Sequence, residues 1–337
     1  MSVAFNGSPQ REQPPGPRNS ICRQQSVQKL STSSTIVPQP PQRGGKAKSS
    51  TERTSREAAL VSCITVLSRT VRPRTSAPVT ELFDMRLRAI RRDRACRSGP
   101  VLFLYERAFA EILERLSEIS RNFASALLIG CPDPQWPDRL ARCAGSVTAV
   151  DPGALFAKAA QGRQAIDEVI ELKPESFDLI VAVGTLDTAN DLPGVLLRLR
   201  FALKPDSLLI GVIAGGDTLP RLRQAMRAAD AVTGAASPHV HPRIEPAALA
   251  QLLSAAGLAM PVVDVERVRV AYRGLRQLVG DLRGMGATNI LKTRGYSPLG
   301  RAALAAAERD FAEGSEDGRT VERFEILHFA AWSPAGK

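Results

Sequence analysis

Between Ala126 and Ile213 the chain alternates short, continuous apolar runs with stretches of helical periodicity, a pattern few folds satisfy. The runs are Ala126 to Gly130, Ser146 to Val150, Glu168 to Leu172, Phe177 to Val183 and Leu208 to Ile213. Between the last two, Leu192 to Leu203 reads as a helix stopped by Lys204-Pro205-Asp206. A strand that is apolar on both faces must be covered on both, the state of a parallel sheet flanked by helices. Right-handed crossovers gather the carboxyl ends of the first strands along one edge, where doubly wound sheets bind ligands. The sequence therefore predicts an α/β fold built on a doubly wound, mainly parallel sheet.

The flanking segments are expected to cover that sheet. Tyr105, Phe109, Ile112, Leu113, Leu116 and Ile119 share one helical face, predicting a buried helix over 101–119. Further helices are predicted near 218–231, 246–256, 274–284 and 298–312. Two more strands, Val262 to Val270 and Phe324 to Trp332, are expected to pair antiparallel at the sheet edge. In Glu81 to Ile90 the apolar residues 82, 83, 87 and 90 share a face, and Arg86, Arg88, Arg91 and Arg92 take much of the rest. That pattern predicts an amphipathic helix with its arginines in solvent.

Charge divides the chain. The formal net charge of +11 suggests a nucleic-acid or membrane partner, but residues 1–80 carry 12 Lys and Arg against 3 acids, leaving 33 basic and 31 acidic residues in the remainder. The body is nearly neutral, and basic residues without interleaved aromatics or a docking motif predict no specific nucleic-acid binding. Residues 1–80 hold a single aromatic, Phe5, and nine prolines, too little apolar surface to offset the entropy of ordering. They read as a disordered basic tail, as an over-extended start of the reading frame, or as a mitochondrial transit peptide, against which the proline clusters argue. Cys22, Cys63, Cys96, Cys131 and Cys143 form no CxxC pair, so reduced structural thiols are expected rather than a metal or disulfide framework. The longest apolar runs, such as Leu208 to Ala214, are too short to span a bilayer; a soluble protein is expected, in the cytoplasm, or in the mitochondrial matrix if the tail is a transit peptide.

Few residues stand out chemically. Asp151 ends the second predicted strand and follows Gly130 by 21 residues, the spacing at which a carboxylate accepts both ribose hydroxyls of an adenosine; an Asp capping the turn at Pro152-Gly153 fits equally well. His239-Val240-His241 lacks a third ligand pattern and is expected in a loop, not at a metal. His328 reads as a satisfied core histidine. Gly280 to Gly286 follows no strand, so its glycines are expected to end a helix and let Asn289 turn the chain over the site. Asp167, Glu168 and Glu171 either approach an adenine or face solvent.

Together, Leu82-Phe-Asp84 with its arginines, Asp178-Leu-Ile180, Asn190-Asp-Leu-Pro193, Ala202-Leu-Lys-Pro-Asp206, Gly215-Gly-Asp-Thr-Leu219 and Asp281-Leu-Arg-Gly-Met-Gly-Ala-Thr-Asn289 resemble the class I S-adenosylmethionine-dependent methyltransferases. The resemblance is to the branch containing malonyl-acyl-carrier-protein methyltransferases and methyltransferase-like assembly factors of respiratory complex I. It covers about 81–334 and implies a Rossmann-like domain with helical cover from 81–120 and 217–312 and an antiparallel C-terminal edge. It also implies S-adenosylmethionine as cofactor, held by Gly130, Cys131, Asp133 and Asp151, with Thr185 and Asp187 as candidate acceptor-lining residues. The family's first loop reads roughly Asp-Leu-Gly-Cys-Gly-x-Gly; here Leu128 replaces the acid, and Pro132 and Pro134 replace two glycines. Proline has no N–H and fixes φ, so the cradle of backbone donors cannot form unchanged, although Asp133 offers a carboxylate from a different backbone position. No residue is singled out as catalytic. Two readings follow: a methyltransferase-like protein acting on a protein or small-molecule acceptor, or a non-catalytic scaffold of the same fold that binds a protein such as a respiratory-complex subunit.

Overall fold

The computed structural model describes residues 81–295 and 298–336; the expectations for residues 1–80 lie outside the described residues. Nine α-helices and eight strands are described. In chain order they are α1 (Met85–Ser98), α2 (Phe103–Glu118), β1 (Phe123–Ile129), α3 (Trp136–Leu140), β2 (Ala144–Asp151), α4 (Ala154–Ala159), β3 (Arg163–Gln164) and β4 (Phe177–Val183). There follow α5 (Leu192–Ala202), β5 (Leu203–Ala214), α6 (Pro220–Thr233), α7 (Pro246–Ala255), β6 (Ala259–Tyr272), α8 (Leu275–Gly284), α9 (Arg301–Glu313), β7 (Ser315–Glu316) and β8 (Arg319–Trp332).

The strands form one sheet in the order β3-β2-β1-β4-β5-β8-β6, with β7 paired to β8. Pairs β2–β3, β1–β2, β1–β4 and β4–β5 are parallel, whereas β8 runs antiparallel to both β5 and β6. The order reverses between β1 and β4, which opens a crevice beyond their carboxyl ends. Apolar residues on the two sides of the sheet feed two cores: Leu127, Ile129, Ile180 and Leu209 pack with α5 and α7, and Ala126, Leu128, Leu179 and Val181 pack with α2 and α3. A third cluster joins α6, α8 and α9 around Tyr272 and Phe311.

One predicted strand is corrected. Glu168 to Leu172 is not a strand; the third position is held by the two polar residues of β3, and Ile170 is a loop residue plugged into the core. The last two long strands pair antiparallel at one edge of the sheet as predicted, β6 outermost and β8 between it and β5. The burial of β8 is nearly continuous, whereas β6 alternates half-buried and exposed positions, as an edge strand covered on one face does.

Candidate functional site

The site begins with the turn after β1. Gly130 has φ +81° and donates its N–H to Val150 O at 2.9 Å; a Cβ there would lie 2.2 Å from Val183 O, so only glycine fits between β1 and β4. Beyond it, Cys131 N–H donates to Asp151 Oδ2 at 2.9 Å. The next donors are spent locally: Gln135 N–H binds Asp133 Oδ1 at 2.8 Å and Trp136 N–H binds Asp133 O at 3.2 Å. Asp133 thus closes a turn with its carboxylate. Trp136 anchors the far end, stacked on Phe109 with centroids 4.2 Å apart and its Nε1 donating to Glu106. Leu128, in the place of the family's acid, lies fully in the core. The Cys131 thiol is buried, and burial followed by the charge of Asp151 pushes its pKa up, which leaves it unreactive.

Asp151 is 0% exposed, and both oxygens are fully engaged. Oδ1 accepts Arg92 Nε at 2.8 Å and Gly153 N–H at 2.7 Å; Oδ2 accepts Arg92 Nη2 at 2.5 Å and Cys131 N–H at 2.9 Å. Arg92 is 3% exposed and comes from α1, and its guanidinium also lies 5.3 Å from the Phe156 ring centroid. Burial opposes its charge, but the charge and hydrogen bonds of Asp151 outweigh burial and raise its pKa. One turn earlier, Arg88 donates through Nη2 to Asp167 Oδ2 at 2.8 Å and to Thr185 O at 2.7 Å. A third pair, Arg243 with Asp187, closes the row beyond β4. Two buried Asp–Arg pairs and one part-buried pair therefore run along the carboxyl edge of the sheet.

The expected solvated face of α1 is thus corrected: Arg88 and Arg92 point inward and are buried, while Ile90 of the supposed apolar face is exposed. The reason is charge pairing. Carboxylates 59 and 79 residues away make the cleft side of the helix polar, and no local periodicity carries that information. The helix is held at its start: Asp84 caps it through Leu87 N–H at 2.9 Å, and the Asn190 side chain pairs with both backbone groups of Phe83. Asp84 N–H donates to Ile290 O and Lys292 N–H to Leu82 O. The motifs Leu82-Phe-Asp84 and Asn190-Asp-Leu-Pro193, with the segment following Asn289, converge on this clamp. Glu168, open to two readings in the sequence, caps the Asn190 backbone, and Glu171 is exposed.

Gly130, Cys131, Asp151 and Thr185 come together in one buried cluster, with Asp187 beside it; Asp133 faces its own turn. Thr185 is fully buried and its Oγ1 has no partner among the described residues. Next to it lies a largely apolar cavity of about 100 Å³, lined by Tyr105, Gly184, Asp187, Arg243, Met285 and Phe324 among others. The adenosyl group implied by the family resemblance does not fit this arrangement: a ribose needs acceptor capacity on Asp151, and all four contacts there are taken. Arg88 and Arg92 are the site residues that sequence reasoning missed.

The two loop histidines diverge. His239 meets Asp230 at 2.8 Å, and His241 Nε2 accepts the Ile290 N–H at 2.9 Å with its ring edge-on to Phe83. Burial and then Arg243 push the pKa of His241 down to about 3. The folded ring stays neutral while the unfolded one protonates near pH 6.5, so its contribution is present above that pH and is lost as pH falls toward 3, at up to about 1.4 kcal/mol per pH unit. Urea unfolding of wild type and His241→Gln between pH 7.5 and 4.5 is expected to show their stability difference shrinking below about pH 6.5. A constant difference would contradict a buried neutral imidazole. His328 is buried, with one ring nitrogen on Glu266 and the other without a partner among the described residues.

The chain is similar in sequence to known proteins. The Methyltransferase domain family matches residues 103–261. The arginine-hydroxylase NDUFAF5, mitochondrial, of Danio rerio is 30% identical over 80% of this chain and 88% of its own length. The protein of the same name from Homo sapiens is 32% identical over 77% of this chain and 79% of its own. The malonyl-[acyl-carrier protein] O-methyltransferase of Laribacter hongkongensis (strain HLHK9) is 33% identical over 54% of this chain and 60% of its own.

Proposed function

The chain belongs to the methyltransferase-domain family that includes the NDUFAF5 arginine-hydroxylases and is related to the malonyl-[acyl-carrier protein] O-methyltransferases, and from its internally filled cleft we propose that it acts as a protein-binding factor without a resident S-adenosylmethionine. The carrying observation is Asp151, whose carboxylate is saturated by Arg92 and two backbone amides. The loop supports the same reading, since Pro132 and Pro134 offer no N–H and the amides of Gln135 and Trp136 are used internally. A protein partner suits the outer face of α1, where Arg86, Arg94 and Arg97 are exposed and complement an acidic surface. The relatives are arginine-hydroxylases by name, which gives that partner a chemical character, a protein that presents an arginine side chain; a respiratory-complex subunit is the partner class implied by the family resemblance. That these relatives are mitochondrial favours the organelle over the cytoplasm as the place of action.

A second reading, methyl transfer to a bound acceptor, is favoured by the cavity beside Gly184, which lies at the carboxyl ends of β4 and β5 where an acceptor would approach a cofactor. Calorimetric titration of S-adenosylmethionine and S-adenosylhomocysteine into the full chain, beside Asp151→Asn, separates the two. No binding at millimolar ligand is expected. Micromolar binding that Asp151→Asn abolishes would overturn the proposal and establish a working cofactor site.

A further inference from the structure

We infer that the pocket between α6 and the loop of residues 234–241 binds a small organic phosphomonoester, its phosphate held by Arg223 and Arg227. This pocket shares no lining residue with the cavity beside Gly184 and depends on no cofactor in the cleft. Unpartnered positive charge is its mark. Arg223 and Arg227 stand four residues apart on α6 and present neighbouring cations on one face, an arrangement that costs stability until an anion lies between them. Among the described residues no carboxylate hydrogen-bonds either of them. Arg223 is fixed by two carbonyls instead, Nε donating to Thr218 O at 3.4 Å and Nη2 to His241 O at 3.1 Å. Those bonds aim the guanidinium and leave three of its five N–H groups unspent. Burial, and then the charges of Arg243 and Arg227, push the pKa of Arg223 down, as befits a cation placed where the protein supplies too little negative charge.

The facing loop is tied down at several points. His239 Nε2 meets Asp230 Oδ1 at 2.8 Å, the Ser237 N–H reaches Asp230 Oδ2 at 3.3 Å, and Asn289 Nδ2 donates to Pro238 O at 2.7 Å. Both oxygens of Asp230, the acid that lines the pocket, are thereby engaged by the loop. Ser237 Oγ accepts the Gly295 N–H at 3.0 Å, which leaves its own hydrogen to donate. Two guanidinium forks and a hydroxyl suit a phosphate, which offers several oxygens to fixed donors.

Volume decides between a bare ion and an ester. The pocket measures about 170 Å³, roughly ten times what a single water requires, and Met226, Pro238 and Val240 give it an apolar wall beside the arginines. A bare ion fills a fraction of that space and leaves the wall wet, whereas the carbon group of an ester covers it. The ligand is therefore a monoester with a compact apolar carrier.

Calorimetric titration of the full chain, wild type beside Arg227→Ala, with phenyl phosphate, inorganic phosphate and phenol tests this at about 0.15 M salt, where loose surface attraction is screened. Phenyl phosphate is expected to bind wild type with a Kd of about 1 mM or tighter, and inorganic phosphate about tenfold more weakly for want of the apolar contact. Arg227 is exposed, so its removal spares the fold, and Arg227→Ala is expected to weaken phenyl phosphate at least about tenfold. Arg227→Lys keeps the charge without the fork and should lie between the two. Hydrogen exchange locates the site, with saturating phenyl phosphate expected to slow exchange across residues 234–241. A Kd for phenyl phosphate above about 1 mM, binding that Arg227→Ala leaves unchanged, or unaltered exchange across 234–241 overturns the inference. Inorganic phosphate bound as tightly as phenyl phosphate overturns the ester, and phenol bound as tightly overturns the phosphate.

Discussion

Arg92→Ala is expected to lower stability by about 3–5 kcal/mol, because it leaves the Asp151 carboxylate charged, buried and short of two of its four hydrogen bonds. For a domain of this size that corresponds to about 6–20 °C in Tm, measurable by calorimetry. The loss comes from the uncompensated charge more than from the attraction of the pair, and a second variant separates these. Arg92→Met with Asp151→Asn removes both charges, keeps a side-chain acceptor for one of the two amides, and is expected to recover much of the loss. Arg92→Lys keeps the charge but gives up the two-pronged fork, and should fall between wild type and alanine. If Arg92→Ala unfolded within about 1 kcal/mol of wild type, the pair would be an incidental contact and α1 a loosely laid cover.

Much of the fold is legible because it is written in local periodicity. β4 runs from Phe177 to Val183 with the predicted bounds, and α2, α5, α6, α7, α8 and α9 begin and end within three residues of the predicted positions. What failed locally was short or polar. β3 has two polar residues and no apolar signature, so the nearby Val169-Ile170 pair drew the assignment although Val169 is exposed and only Ile170 is buried. The interior position of β8 was in principle readable: Glu325 to Trp332 is apolar at six of eight positions, whereas β6 alternates Val265-Glu266-Arg267-Val268-Arg269-Val270. The site divides the same way. Asp151 and Gly130 stand out by their spacing along the chain, and the structure brings them together through the Cys131 amide. Arg88 and Arg92 do not stand out, because a buried ion pair is a relation between distant segments, and six arginines between residues 86 and 97 look like a solvated helix until the carboxylates facing it are known.

Gly130 gives the other large effect, and it tests what a retained glycine signifies. Its place in the first loop suggested contact with a cofactor, but the structure supplies two reasons for glycine that need no ligand. A φ of +81° disfavours any side chain, and an added Cβ would sit 2.2 Å from Val183 O and 2.6 Å from the Thr185 methyl carbon. The carbonyl belongs to β4, the central neighbour of β1, and cannot yield without disturbing the sheet. Gly130→Ala is therefore expected to cost about 2–5 kcal/mol, summing the left-handed backbone penalty and the overpacking of a dense core. Chemical denaturation of the two proteins without any added ligand measures it. A variant as stable as wild type would mean that β1 and β4 can separate at this point and would return the glycine to a ligand-binding role. The expected loss assigns it to the sheet. The turn is then held because β1 must pass β4 closely, and its bend directs the Cys131 amide onto Asp151, where Arg92 completes the contact.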